Sequence, residues 1–299
     1  MGIVIINERL AVGLTGISSS GKSTLADLLK DALIEFTDVV EEDVTVLHLD
    51  NFYRPIDEVY EIQGLNKIDN ITKVNWDDPN LINYDRLIGV LNELQEIGET
   101  EVNVYDKKTG TYKGETETVI GNKLVIVESF LLFSSGVPMR GNYSSRKKKE
   151  PVLSNPKETS DRIFELIPYR VFVDCDKNVA WLRRLARDAH KVPRTYEESN
   201  QLWTRDAWPA ALEYIFPLRE LKPEGIFDRF WENSVLSVSD IDYVFWDIVN
   251  QTNMSIKSEY ARDFMSRQEW IEDRYRKGTI NEAQWIYELF TKRNGLVNP

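Results

Sequence analysis

Apolar positions along the chain fall into short unbroken runs that alternate with segments of helical period. Leu10 to Leu14 is an apolar run that breaks at Thr15-Gly16. From Lys22 to Phe36 the positions Leu25, Leu28, Leu29, Ala32 and Leu33 recur at three- and four-residue spacing, which predicts a helix. Val44 to Leu49 is a second strand candidate and leads directly into Asp50-Asn51. Tyr84 to Gln95 predicts an amphipathic helix, with Leu87, Val90, Leu91 and Leu94 on one face. Leu124 to Val127 and Tyr169 to Val173 are further apolar runs, each followed at once by an acid, Glu128 and Asp174. Strands this apolar fit burial on both faces, as in a parallel sheet, and their alternation with helices predicts an α/β fold.

Between these elements lie two segments of a different character. Val104 to Gly121, with its Lys-Thr-Gly and Lys-Gly-Glu turns, reads as an exposed hairpin. Residues 136–161 hold three prolines or glycines in quick succession and the run Arg146-Lys147-Lys148-Lys149, a composition that predicts a loop or disorder and a solvated charge cluster. Beyond about residue 255 comes a helical tail whose aromatics, Phe264, Trp270, Tyr275, Trp285, Tyr287 and Phe290, are expected to pack against the main domain. The organisation expected is a domain over 1–250, with insertions at about 104–121 and 136–161, and a helical extension over 251–299.

Composition narrows the partners. The 299 residues carry a formal net charge of -12, which repels phosphate backbones and argues against duplex nucleic acid. A single cysteine, Cys175, allows no intrachain disulfide. The N-terminal stretch MGIVIINERLAVGL has no basic leader, and no apolar segment approaches the roughly 20 residues of a membrane span. A soluble, cytoplasmic protein is expected, with no membrane partner.

The strongest chemical signal is GISSSGKS, residues 16–23, where Gly16, Gly21, Lys22 and Ser23 match G-x-x-x-x-G-K-[ST]. A loop that wraps a phosphate tail needs consecutive backbone N–H groups and glycines where side chains would block the approach. Ser19, Ser20 and Thr24 complete the nucleotide-binding set. The helix that follows points its positive end at the phosphates. Lys22 adds a point charge for the β- and γ-phosphates, and the Ser23 hydroxyl is placed to ligate Mg²⁺. The fold expected is therefore a P-loop kinase-type parallel sheet flanked by helices, using ATP and Mg²⁺. A second acid near the metal is expected at a strand end, with Glu128 the better candidate and Asp174 its rival. Asp50, at the end of another strand on the same rim, suits the base or orienting carboxylate of the acceptor. The segment WLRRLARDAHK offers Arg183, Arg184, Arg187 and Lys191; three share a helix face, either solvated or closing over ATP to stabilise transferring charge.

These residues resemble the nucleoside-kinase-like branch of the P-loop kinases, and within it the nicotinamide riboside kinases. GISSSGKS, LDNFYRP, NWDDP, VIVESFLLF and LRRLARD carry the resemblance in order, with AWPAALEY beyond them, across roughly residues 10 to 220. The resemblance implies that Asp50 takes or orients the proton of a ribose 5′-hydroxyl. It implies that Trp76 stacks on the base, that Asp77 holds the ribose hydroxyls, that Glu128 supports Mg²⁺, and that Arg184 and its neighbours are lid arginines. A cationic pyridinium ring favours an indole face. Ser129 stands where the family usually has glycine, which places an extra Cβ at that turn. A second stacking aromatic could be His190, Tyr196 or Trp203.

Two other readings compete. The same chemistry could serve uridine, cytidine or another small metabolite, since NWDDP favours a ribose without choosing the base. A GTP-binding switch is suggested by Asn66-Lys67-Ile68-Asp69, which spells N-K-x-D, but no D-x-x-G lies between it and the phosphate loop. A kinase fold without activity is disfavoured by intact Lys22, Ser23, Asp50 and Glu128.

Overall fold

The computed structural model of the protein describes residues 9–66, 73–106, 111–121, 123–134, 156–191, 194–220, 225–232, 238–252, 254–258, 263 and 265–277. The apolar runs become the strands of one parallel sheet: β1 (Leu10–Thr15), β2 (Val44–His48), β5 (Leu124–Glu128), β6 (Tyr169–Asp174) and a short edge strand, β7 (Arg229–Glu232), in the order β2-β5-β1-β6-β7. A separate two-stranded antiparallel sheet is formed by β3 (Glu99–Asp106) and β4 (Thr111–Ile120).

Alternation along each central strand supplies both faces of the main sheet. Leu10, Val12 and Leu14 of β1, Leu124 and Ile126 of β5, and Tyr169, Val171 and Val173 of β6 pack on one side. They meet α1 (Lys22–Phe36) and, through Ile241, Val244, Phe245 and Ile248, the helix that follows β7. Ala11, Val125, Val127 and Phe172 point to the other side. There they meet α3 (Tyr84–Glu96) and α4 (Pro156–Leu166), while α2 (Ile56–Gln63) packs in a small cluster of its own around Val59, Val74 and Leu81. Side chains on successive residues point to opposite faces, so one apolar run feeds two cores. Gly13 belongs to this arrangement: a Cβ there would lie 2.6 Å from the Phe133 ring and 2.7 Å from Ile167.

The second half of the chain closes the far side. After α5 (Lys177–Lys191) come α6 (Tyr196–Leu202), α7 (Trp208–Ala210) and α8 (Phe216–Glu220), joined end to end by π-type turns at Trp203–Ala207 and Ala211–Ile215. Pro209 has no N–H to give the helical ladder, and wider turns on both sides accommodate the gap. The helix α9 (Val238–Thr252) then lies beside α1, and residues 265–277, helix α10, follow it.

Several expectations are revised here. The hairpin begins at Glu99, five residues earlier than the sequence suggested, and it is not merely exposed: Val102 and Val119 are buried in the main core. Of the segment 136–161, residues 156–161 open α4 rather than forming a loop, and 136–155, with the basic run, lie outside the described residues. The boundary expected at 250 falls inside α9. Helix α10 packs as the aromatic tail was expected to: Trp270 meets Phe36 edge to face at 5.1 Å, and Ile271 is buried in the core shared with α1. Phe264, Trp285, Tyr287 and Phe290 lie outside the described residues. Among the described residues, no helix is long and apolar enough to cross a membrane.

Candidate active site

Because all five strands are parallel, their carboxyl ends share one edge, and ligands in such sheets bind where the chain turns outward to opposite sides. Here that point is β1, with β5 and β2 on one flank and β6 and β7 on the other. A cavity of about 550 Å³ opens above it.

The floor is the loop after β1. Gly16 takes φ 149° and packs so tightly on β6 that a Cβ would stand 2.0 Å from the Val173 carbonyl oxygen. Ser19 and Gly21 both adopt left-handed backbone, φ 63° and 101°. Left-handed residues in such a loop turn successive N–H groups inward to make an anion-binding hollow. Gly16 and Ser20 are buried beneath it, while Ser19, Gly21, Lys22, Ser23 and Thr24 line the cavity. The Lys22 ammonium folds back on the loop and donates to the carbonyl oxygens of Gly16 at 3.0 Å and Ile17 at 2.8 Å. Burial pushes its pKa down to about 8, against the pull of the Glu128 carboxylate.

Glu128 closes β5. Its Oε1 accepts from the Ser23 hydroxyl at 3.0 Å and meets His48 Nδ1 at 2.7 Å. His48 is there because β2 and β5 run in register, His48 opposite Glu128. Burial raises the Glu128 carboxyl, but the His48 hydrogen bond and the Lys22 charge outweigh it and hold the group below its ordinary value; the same bond raises His48. Ser23 and Glu128 thus bring two hard oxygen donors together, and the donor set fits Mg²⁺. Asp174 does not join them: its carboxylate accepts from Arg219 at 2.8 Å and is absent from the cavity wall. Ser129 brings no positive φ; its hydroxyl accepts the Leu131 N–H at 3.0 Å and holds the turn.

The residues expected at the acceptor end lie on the β2 flank. Asp50 sits in the 3₁₀ turn Leu49–Phe52 and lines the cavity with Trp76 and Asp77. Burial raises the Asp77 carboxyl, and Arg184 opposes the rise. Tyr53 packs edge to face on Trp76 at 5.3 Å and donates its hydroxyl to the Trp76 carbonyl at 2.7 Å. Tyr105, from the hairpin, stands 5.3 Å from Tyr53 and 6.1 Å from Trp76, completing a three-ring wall. Tyr112 holds the hairpin down, donating its hydroxyl to the Tyr53 carbonyl.

From α5, Arg183, Arg184 and Arg187 reach over the loop. Arg183 contacts the Ser20 carbonyl at 3.4 Å, and the buried Arg184 donates to the Ser18 hydroxyl at 3.0 Å. Asp188, one turn on and fully buried, gathers Arg184, Arg187 and Arg194 within 3.0 to 3.6 Å. Tyr196 and Trp203, candidates for a second stacking ring, pack instead on Trp181 at 6.1 and 5.5 Å. The His190 side chain lies outside the described residues. Tyr53, Tyr105, His48, Asp188 and Asp206 complete the wall without having been singled out from the sequence. Tyr53 stood inside LDNFYRP and was the one most open to notice.

Residues 11–135 match the model of the phosphoribulokinase / uridine kinase family. The chain is 27% identical over 214 residues to uridine-cytidine kinase-like 1 of Mus musculus, covering 72% of this chain and 32% of that protein. It is 25% identical over 213 residues to the uridine kinase of Shewanella amazonensis, covering 71% of this chain and 84% of that protein. The match therefore spans about a third of the mouse relative's length. Among solved structures, the D-glycerate 3-kinase of Cryptococcus neoformans shares the fold, with a TM-score of 0.50 at 18% identity over 69% of this chain and 79% of that one. By these matches the chain is similar to the uridine kinase-like branch of P-loop kinases.

Proposed function

We propose that this P-loop phosphotransferase moves the γ-phosphoryl group of ATP to the ribose 5′-hydroxyl of a riboside, with nicotinamide riboside as the acceptor that fits best. The observation that carries this reading is one cavity in which the phosphate loop and Glu128 face Asp50, Trp76 and Asp77. Phosphoryl transfer of this kind is mostly positioning and charge stabilisation.

In the mechanism, backbone N–H groups of residues 16–23 hold the triphosphate, and Lys22 leaves its two carbonyl partners to meet the β- and γ-phosphates. Ser23 and Glu128 would hold Mg²⁺, which neutralises charge on the β- and γ-oxygens when bound. Asp50 accepts a hydrogen bond from the acceptor hydroxyl and orients it for in-line attack. Asp77 holds the ribose hydroxyls, and the rings of Trp76, Tyr53 and Tyr105 flank the base. Arg183, Arg184 and Arg187 stabilise the charge that spreads over the transferring group, with Asp188 fixing their directions. A pyridinium base gains from the aromatic wall by cation–π attraction, on the order of 1–2 kcal/mol in a desolvated site.

Uridine or cytidine is the second reading, favoured by the relatives described as uridine kinases. An assay of labelled ATP against nicotinamide riboside, nicotinate riboside, uridine and cytidine separates the two. Turnover of nicotinamide riboside with the highest kcat/KM is expected; turnover of uridine without nicotinamide riboside overturns that choice. Tight GTP or GDP binding without acceptor-dependent turnover would instead favour a switch.

A further inference from the structure

The phosphate loop divides the cavity. On the β5 and β2 flank stand Glu128, His48 and Asp50, where the γ-phosphate and the acceptor must lie. A triphosphate laid along the loop therefore sends its nucleoside end the opposite way, towards β6 and β7. Two aromatic residues line the cavity from that side, Trp231 of β7 and Tyr275 of α10, near Thr24 and Leu28 of α1.

We infer that Tyr275 and Trp231 form the base end of the nucleotide-donor site, so that α10 is part of the catalytic cavity. The inference rests on ATP being the phosphoryl donor.

Helix α10 is held rigidly enough to place a ring. Arg267, Ile271 and Tyr275 recur every four residues and so share one face of the helix. Arg267 is buried and paired with Asp242 of α9 at 2.6 Å, with its guanidinium 4.7 Å from the Trp246 ring. Arg274 bonds to Asp31 of α1 at 3.0 Å, and Trp270 closes on Phe36. Tyr275, half-buried, thus extends the seam that begins at Arg267 to the rim of the cavity. Trp231 adds a second observation. It is 2% exposed, and its indole N–H has no hydrogen-bond acceptor among the described residues. A buried donor left unpaired is costly, and a purine carries ring nitrogens that accept. The half-buried Tyr275 ring suits stacking, which every base offers, so this end gives affinity for a purine nucleotide with little choice between purines.

Calorimetric titration of the full chain with Mg·ATP and, separately, with Mg·tripolyphosphate tests the inference. Tyr275→Leu, which keeps apolar bulk and removes the ring, is expected to weaken ATP about tenfold while leaving tripolyphosphate within about twofold. Tyr275→Phe is expected to restore ATP, and Trp231→Phe, which keeps a ring and removes the donor, to weaken ATP by less. Unchanged ATP affinity in Tyr275→Leu, or equal losses for ATP and tripolyphosphate, overturns the inference while the donor reading stands. Wild-type chain that holds tripolyphosphate but not ATP overturns both.

Discussion

A buried ammonium whose hydrogen bonds, among the described residues, go to two neutral carbonyl oxygens is an uncomfortable residue, and Lys22 tests the site at the smallest scale. Its pKa is about 8 in the folded chain against 10.5 when unfolded. Between those values the unfolded chain binds the extra proton, so stability rises with pH across the window, by about 3 kcal/mol in full. Buried tyrosines with raised pKa, such as Tyr84 and Tyr105, oppose the trend once unfolded tyrosine ionises near pH 10. Urea unfolding of the nucleotide-free chain is therefore expected to give higher stability at pH 9.5 than at pH 7.5, and Lys22→Met should abolish the difference. ATP affinity should run the other way, falling as pH passes 8 and the charge is lost. Gly16→Ala puts a methyl 2.0 Å from the Val173 oxygen and should abolish ATP binding in a calorimetric titration, because the loop must leave β6. The cradle was legible in the sequence because its residues are contiguous and its geometry follows from them. His48 was not, since only the pairing of β2 with β5 brings it to Glu128.

At the scale of elements, the hairpin is where reading and structure part most. Helices such as α1 and α3 were legible because a 3.6-residue period over a dozen positions leaves little choice. The β3–β4 hairpin shows turn residues and strands that are exposed on one side, which says nothing of where its tyrosines point. Its buried Val102 and Val119 fix it on the core, and Tyr105 then faces Trp76. Tyr105→Ala is expected to raise the acceptor KM about tenfold and leave the ATP KM within about twofold, with Tyr105→Phe close to wild type. Steady-state kinetics with each substrate varied in turn reads this directly, and a matching rise in the ATP KM would remove Tyr105 from the acceptor side. The arginines of α5 were foreseen as a basic face, but not the buried Asp188 that pairs with them. A carboxylate three positions from the helix end gives no sign of burial in a sequence.

The whole molecule is joined by contacts between segments more than two hundred residues apart, Arg274 with Asp31 and Lys257 with the Ile34 carbonyl among them, which no local pattern encodes. Arg267 and Asp242 are each 2% exposed, and their pairing locks α10 to α9. Removing one partner strands a buried charge, so Arg267→Met should cost about 3–5 kcal/mol, while adding Asp242→Leu should recover most of it. Thermal unfolding of the wild type and the two variants measures both. The parallel sheet follows from apolar runs that alternate with helices, and to that extent the architecture was foreseeable, whereas the strand order had to be seen. The placement of the tail on α1 and α9 had to be seen. The separation of the two sheets carries a consequence for descent. The five-stranded sheet carries the phosphate loop, whereas the strand ladder of the hairpin joins β3 to β4 alone and the hairpin reaches the cavity through the Tyr105 side chain. Mutations at Tyr105 or Tyr112 can therefore be sampled one at a time without endangering phosphoryl chemistry. Lineages built on this plan can drift from one acceptor to another through intermediates that remain competent with ATP.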